Sequence, residues 1–232
     1  MTKAQATDAP LTADAFDALV RARRSVRGYK PDPVAPELIA AAMQASLWAP
    51  SNCNVQPWSV HLVSGEKLRA LGQAMMDHAS AGRPAPDVPM DTAYRGVYRD
   101  RQIGSAKALY GAMGIARDDR AGRASAFLRN LDAFGAPHAA FVFLPENFGI
   151  REAADLGGFV QTFLLALTAR GLGSCAQGAL SLYPDIVREH LGLAPGALLM
   201  VGIAFGYEDP DHPANAARTD REGIEGIVRW HG

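Results

Sequence analysis

The sequence predicts an α+β fold, with one central sheet held between helices. Most of the chain shows apolar spacing at i, i+3, i+4, and only three short runs, at 58–63, 138–144 and 197–205, read as strands. Those runs lie far apart in sequence, which suits a shared sheet between helical layers. No linker divides the 232 residues, so the expectation is one domain over 12–232 behind a flexible tail at 1–11.

Taken in order, Phe16, Leu19 and Val20 mark an amphipathic helix over 12–23, with Thr12 as its N-cap. The helix runs into "RARRSVRGYK", which has five cations and no acid in ten residues. "KPDPVAP" then breaks the chain, and Pro36 opens a second helix over 36–48. "APSNCNVQP" is a polar loop before the strand "WSVHLV", and a helix follows over 66–79. Prolines 84, 86 and 89 make 80–93 an exposed loop, with helices expected at 97–114 and 118–132. After the buried strand at 138–144 comes the longest helix, 152–170. Leu156, Phe159, Val160, Phe163, Leu164 and Leu167 form its apolar face, and Gly171 stops it. A short helix at 183–191 leads to the strand "ALLMVGIAF".

Composition narrows the function. Lys and Arg total 23 against 24 Asp and Glu, so the net charge of −1 gives no general pull toward nucleic acid or an anionic membrane. The most apolar stretch, 153–172, contains Asp155, Gln161 and Arg170 and reads as a buried helix rather than a membrane span. The N-terminus has no apolar signal region, and two cysteines, Cys53 and Cys175, are too few for a disulfide framework; a cytoplasmic protein is expected. No GxGxxG follows a strand, and GxxxxGK[ST], HExxH and GxSxG do not occur. The six histidines show no metal-ligand pairing, so no metal site is expected. Any redox reaction then needs an imported cofactor.

Three polar stretches could carry chemistry, and each has a plain structural account beside it. In "RRSVRGY", two guanidiniums bracket a hydroxyl and could clamp a phosphate; a charged helix end or a nucleic-acid contact uses the same residues. In "APSNCNVQPW", carboxamides could meet the mixed edge of a heterocycle, or form an ordinary turn. In "GLGSCAQGAL", small residues let a backbone approach a flat ligand, or stop a helix tightly.

Together these stretches resemble the FMN-dependent nitroreductase family, over about residues 14–222. "RRSVRGY" is similar to its phosphate motif, "PSNCNVQPW" to its PSxxNxQPW loop, and "ARGLGSCAQGALSLYPDIVREHLGL" to its late helix–loop–helix. "GIAFGYEDPDHPANAARTDRE" is similar to the end of its core, while "LYGAMGIARDDR" and "FGAPHAAFVFL" resemble the nitrobenzoate and nitroaromatic reductase branch.

The resemblance implies a three-layer sandwich, with a mainly antiparallel sheet flanked by helices, and an intertwined homodimer with FMN at the interface. Arg23, Arg24, Ser25 and Arg27 would hold the FMN phosphate and ribityl chain, with Arg218 as a second basic contact. Pro50, Ser51, Asn52 and Asn54 would reach the cofactor from the partner subunit, and Asn130 would face the pyrimidine edge. Ala176, Gln177 and Gly178 would pass their backbone along the ring. NADH or NADPH would donate hydride to flavin N5 in a ping-pong scheme, with a small aromatic acceptor following on the same face and protons drawn from water. Quinones, activated alkenes, halogenated aromatics or free flavin are the alternative acceptors; a non-catalytic flavin-binding protein is the rival of another class. Tyr94, Arg95, Tyr98 and Arg99 either select an acidic aromatic acceptor or form a solvated helix face. Ala216 and Ala217 depart from the family's longer residue in the NxxR tail, and both cysteines read as inert packing.

Overall fold

The computed structural model describes residues 12–89 and 93–232. The expected tail at 1–11 and three residues of the 80–93 loop lie outside the described residues. The first helix, α1, is Ala13–Ala22, and Thr12 Oγ1 accepts the Ala15 N–H at 3.2 Å as its N-cap. Helix α2 is Pro36–Ser46, with proline at the first turn as expected. Strand β1 (Ser59–Ser64) leads directly into α3 (Gly65–Ala81).

Helix α4 (Val97–Ala112) buries no residue, and α5 runs only Arg120–Leu128. The helix expected over 118–132 stops early because the chain tightens there. Asn130 and Leu131 N–H donate three residues back, to Phe127 and Leu128 O, both at 2.9 Å. Left-handed φ at Ala133, Phe134 and Gly135 then turns the chain into β2 (His138–Pro145). The remaining elements are α6 (Ile150–Thr168), β3 (Gly173–Gln177), α7 (Pro184–Leu191), β4 (Ala197–Gly206) and a single turn α8 (Ile224–Ile227).

The sheet runs β1-β2-β4-β3, and every neighbouring pair is antiparallel. Both faces of β2 are covered, which explains why "AAFVFL" (139–144) is apolar without a break. Ala139, Phe141 and Phe143 pack with Leu71 and Met75 of α3 and Val187 of α7. Ala140, Val142 and Leu144 pack on the other side, with Ala42 of α2 and Phe159, Phe163 and Leu167 of α6. β4 serves both cores through a bulge: Val142 pairs with Val201 while Phe143 pairs with Leu199. The extra residue puts Met200 and Val201 on one side and lets Leu199 share a face with Ala204. The result is the expected three layers, with α2 and α6 on one face and α3 and α7 on the other.

One strand escaped the sequence reading. "GLGSCAQGAL" does stop α6: Gly171 has φ 72 and Leu172 N–H returns to Leu167 O at 3.0 Å. The chain then continues as β3 along β4, although Gly, Ser, Ala and Gln are poor strand formers. Cross-strand pairing overrides weak local preference. The close packing is visible at Gly202, where an added Cβ would stand 2.4 Å from Leu180 Cβ.

His138 pins the 33–34 turn to β2. Its Nε2 accepts the Val34 N–H at 2.9 Å, which leaves the proton on Nδ1 to face Ser64 Oγ at 2.6 Å. Burial lowers its pKa below the ordinary 6.5, because the charged ring loses hydration and the Val34 bond. The folded state therefore favours the neutral ring. That stability is complete above the unfolded pKa and is lost as pH falls through the folded one. His61 and His212 are shifted in the same sense.

Gly202→Ala is expected to lower stability by about 1–3 kcal/mol through overpacking, read as a reduced urea midpoint. Denaturation midpoints should fall as pH drops below about 6.5, and His138→Gln should flatten that slope. A slope unchanged in the variant would remove His138 from the acid response.

Candidate functional site

The site grows from the end of α1. The chain turns extended at Arg23, so alternate residues face opposite ways. Val26 (2% exposed) points inward, and Arg23, Ser25 and Arg27 point outward. Val26 N–H donates to Ser174 O at 3.0 Å, and Ser25 bridges Ser174 in parallel, so this stretch lies along the open edge of β3. The fit requires glycine at 173, where a Cβ would meet Val26 Cγ2 at 2.8 Å. Further along, Tyr29 bridges Glu208 and its hydroxyl donates to Val26 O at 2.8 Å.

A cleft of 580 Å³ opens on this edge. Arg21, Arg23, Arg24, Arg27, Arg218 and Arg221 line it together with Ser25, Thr219, Gln161 of α6 and Ser105 and Leu109 of α4. Among the described residues no carboxylate lines it. The six guanidiniums differ in their engagements. Arg24 pairs with Glu208 and donates to Asn215 O at 3.0 Å. Arg21 pairs with Asp17 on the surface of α1. Arg218 donates to Asn215 O at 2.7 Å, and Arg221 to Thr219 Oγ1 at 2.9 Å. Arg23 and Arg27 have no ion-pair partner among the described residues. Burial, and then the charge of Arg221, lower the Arg23 pKa, so the surroundings leave its charge uncompensated. Forked donors converging without a counterion suit a phosphate group.

Beyond the cleft, β3 presents bare backbone. Ser174 O faces outward to Val26, and strand alternation turns the Ala176 N–H and C=O the same way while Gln177 faces β4. Ala176 and Gly178 are exposed. Gln177 is buried, and its Nε2 donates to Asn130 O at 3.0 Å and Oδ1 at 3.4 Å. Asn130 is thus joined to β3 through Gln177, and its own Nδ2 caps Phe127 O. Ser174 Oγ and Gln177 Oε1 are buried without a hydrogen-bond partner among the described residues. A planar ligand with polar edges fits the exposed strand edge at Ala176 and Gly178.

Two groups escaped the sequence reading. Arg221 lines the cleft three residues beyond Arg218, in the same "RTDR" stretch, and that spacing was the available signal. Asn215 and Arg129 hold the cleft from behind. Asn215 Oδ1 accepts the Arg27 N–H at 2.7 Å, and its Nδ2 donates to Gly28 O and Asp209 O, both at 2.8 Å. Arg129 donates to Arg27 O and Phe134 O, both at 3.3 Å, and meets His212 Nε2 at 2.7 Å. No local pattern marks Arg129, because Arg27 and His212 are brought to it by the fold.

The loop carrying Pro50, Ser51, Asn52 and Asn54 does not line this cleft. Asn52 N–H donates to Asp155 of α6 at 2.9 Å, and Ser51 Oγ accepts the Gln56 N–H at 2.9 Å. Cys53, Asn54 and Gln56 have φ of 48, 58 and 49, so the loop is bent through left-handed backbone. Cys53 is exposed, which corrects its reading as a packing thiol. Cys175 is buried, and burial raises its pKa.

The candidates at 94–99 divide. Tyr94 and Tyr98 line a second cleft of 490 Å³ with Arg101 and Tyr110, and it shares Ser105 and Leu109 with the arginine cleft. Arg99 faces a third groove, and Arg95 lines none of the three. An ion pair of 2.6 Å between Arg101 and Glu222 ties α4 to the C-terminal segment.

The model of the nitroreductase family matches residues 20–207, a span that ends before Arg218. The chain is 39% identical over 219 residues to the nitroreductase NfnB of Mycolicibacterium smegmatis, covering 94% of this chain and 93% of that one. It is 33% identical to a 4-nitrobenzoate reductase of Pseudomonas putida, with 96% and 98% covered. Among solved structures, the FMN-dependent NfnB from Mycobacterium smegmatis in complex with NADPH superposes with a TM-score of 0.91 at 38% identity, covering 95% of this chain and 99% of that one. The FMN- and NADPH-dependent NfnB from Sphigopyxis sp. strain HMH gives 0.90 at 34% identity, with 93% and 98% covered.

Arg24→Ala is expected to cost about 1–3 kcal/mol of stability, because it frees Glu208 and unties Asn215. Arg23→Ala should change stability by no more than about 0.5 kcal/mol. Thermal melts of the two variants compare them; equal losses would make Arg23 a structural residue as well.

Proposed function

We infer the function from descent: this chain belongs to the nitroreductase family. It is proposed as an FMN-dependent oxidoreductase that uses NADPH or NADH to reduce nitroaromatic acceptors, as its relatives' names describe for them. The observation that carries this is the arginine cleft beside a strand edge with bare amides. Bound FMN supplies the hydride chemistry that the side chains lack.

The chain's own residues bind and orient. Arg23, Ser25, Arg27, Arg218 and Arg221 hold the phosphate. Arg24 serves it indirectly, by fixing Asn215, which in turn holds the Arg27 backbone. Ala176, Gln177 and Gly178 lay their backbone along the ring, and Asn130 steadies that backbone through Gln177. Positive charge and N–H donors there favour added negative charge on a bound ring. Tyr94, Tyr98 and Tyr110, with Arg101, provide flat surfaces and a cation for an aromatic acceptor beside the cleft.

We place the working site at the interface of a homodimer, with Pro50, Ser51, Asn52 and Asn54 reaching it from the partner subunit. Surface exposure supports this. Helix α1 buries nothing, and its apolar stripe leaves Phe16 48% exposed; Trp48, Ile150 and Trp230 are more than four-fifths exposed. One domain over 12–232 and a cytoplasmic location complete the proposal. Among the described residues no helix is long and apolar enough to cross a membrane.

Purified protein should show flavin absorbance and bleach on anaerobic titration with NADPH or NADH. A colourless preparation that cannot be reconstituted overturns the assignment, and a fully reduced protein that prefers quinones in an acceptor panel moves it to that class. Arg27→Ala and Arg221→Ala should each weaken FMN binding by roughly ten- to a hundred-fold, as for a charge-assisted contact. Light scattering should give twice the chain mass.

A further inference from the structure

One stripe of α4 is nearly free of charge. Residues three and four apart share a helix face. Tyr98, Arg101, Gln102, Ser105, Ala106 and Leu109 follow that spacing and wall the tyrosine cleft. This cleft meets the arginine cleft at Ser105 and Leu109, so the two form one trough along α4. Arg99 and Lys107 stand on the neighbouring stripe and line the third groove instead. Among the described residues, Arg101 is the only charged side chain that lines the tyrosine cleft.

That one cation is already engaged. Its Nη2 donates to Glu222 Oε2 at 2.6 Å, and its guanidinium carbon stands 5.9 Å from the Tyr98 ring centroid. Glu222 does not itself line the cleft, but it is held in place behind Arg101. The Arg101 bond, and after it the Gly223 N–H, holds the Glu222 pKa below its ordinary 4.5, so the carboxylate is charged at neutral pH. Helix α8 packs closely on the same side chain: a Cβ added at Gly226 would stand 2.6 Å from Glu222 Cγ. The two side chains of the pair remain 45% and 41% exposed, so a dissolved acceptor can reach it.

An aromatic ring in this cleft meets tyrosine faces and one guanidinium whose charge is matched. An uncharged ring loses nothing by that match. A ring that carries a carboxylate must share Arg101 with Glu222, and two like charges at one guanidinium repel. Its other course is to displace Glu222, which breaks an existing charge-assisted hydrogen bond to form a similar one. We propose that Glu222 is a specificity-determining residue that acts through Arg101: it makes the tyrosine cleft prefer uncharged nitroaromatic acceptors over carboxylated ones. That acceptors bind here at all rests on the family reading above; the charge preference of the cleft can be measured without it.

Nitrobenzene and 4-nitrobenzoate differ by one carboxylate, and FMN-loaded protein is assayed with each while the donor is in excess. Intrinsic reactivity cancels when the ratio of their kcat/KM values is compared between proteins. Glu222→Gln keeps the length of the side chain and removes its charge. The ratio of nitrobenzoate to nitrobenzene should rise about fivefold in this variant, the size of a half-exposed charge contact, and the rise should lie in KM. Arg101→Gln in the same background should cancel it. An unchanged ratio, a change confined to kcat, or a rise that persists without Arg101 overturns the proposal. Gly226→Ala crowds Glu222 but keeps its charge; it should move the ratio the same way, and it replaces Glu222→Gln if that variant melts early. Calorimetry with benzoate and benzamide reads the preference without turnover. Benzamide should bind more tightly, and Glu222→Gln should narrow the gap. Tighter binding of benzoate to the native protein, or a gap that the variant leaves unchanged, overturns the proposal. Failure to bind FMN or to oxidise either donor sinks the family reading instead, and the same calorimetry on flavin-free protein then decides the cleft alone.

Discussion

One backbone hydrogen bond organises the molecule's functional edge: Val26 N–H to Ser174 O, at 3.0 Å. It lays the segment after α1 along β3, and β3 is itself held only by β4 on its other side. The pairing requires a bare Cα at Gly173, because any side chain there would collide with Val26. Once the segment is docked, extended geometry sends Val26 inward and Arg23, Ser25 and Arg27 outward. The strand also keeps its outward amides free beyond Ser174, beside the arginines. A cluster of guanidiniums and an exposed strand edge thus become neighbours through a single docking event.

The arginines around the cleft have different duties. Arg24 is neutralised by Glu208 and tied to the Asn215 carbonyl, so it builds the wall. Arg23, pushed down by burial and by Arg221, is left without compensation. Desolvating a cation without a partner is unfavourable, and an incoming phosphate relieves that cost. Asn215 and Arg129 supply the stiffness behind. Each joins the 23–29 segment to the 208–215 segment, and Arg129 also joins it to the strained turn at 133–135. The cleft is thereby made of side chains whose backbones are cross-braced, which limits the ordering cost of binding.

Several large apolar side chains stay at the surface. Among the described residues these include Phe16 and Val20 of α1, with Trp48, Ile150 and Trp230. The polar loop at 50–54 is rigidly bent yet stands away from its own arginine cleft, anchored on Asp155. A second subunit would answer both features at once, by covering those side chains and bringing that loop to a neighbouring cleft. α4, which buries nothing and is moored through Arg101 and Glu222, borders the trough that runs out from the site.

The sequence alone determined the helices and the three strong strands, because their signals are local. Apolar spacing, Thr12 and Pro36 at helix starts and Gly171 at a helix stop act within a few residues. It also carried the order of the polar motifs, which made Arg23, Ser25, Arg27 and Arg218 legible as a set, and the fold lines one cleft with them. Only the tertiary structure decided the rest. β3 forms because β4 offers it a partner, the bulge at Met200 lets β4 serve two cores, and α5 ends early because a 3-10 turn takes over. Arg129 gathers partners from two distant segments, Arg24 meets Glu208 across 184 residues, and Cys53 turns out to be exposed. These outcomes depend on contacts between segments that sequence order keeps apart, and no local propensity encodes which carboxylate or carbonyl will stand opposite a given guanidinium.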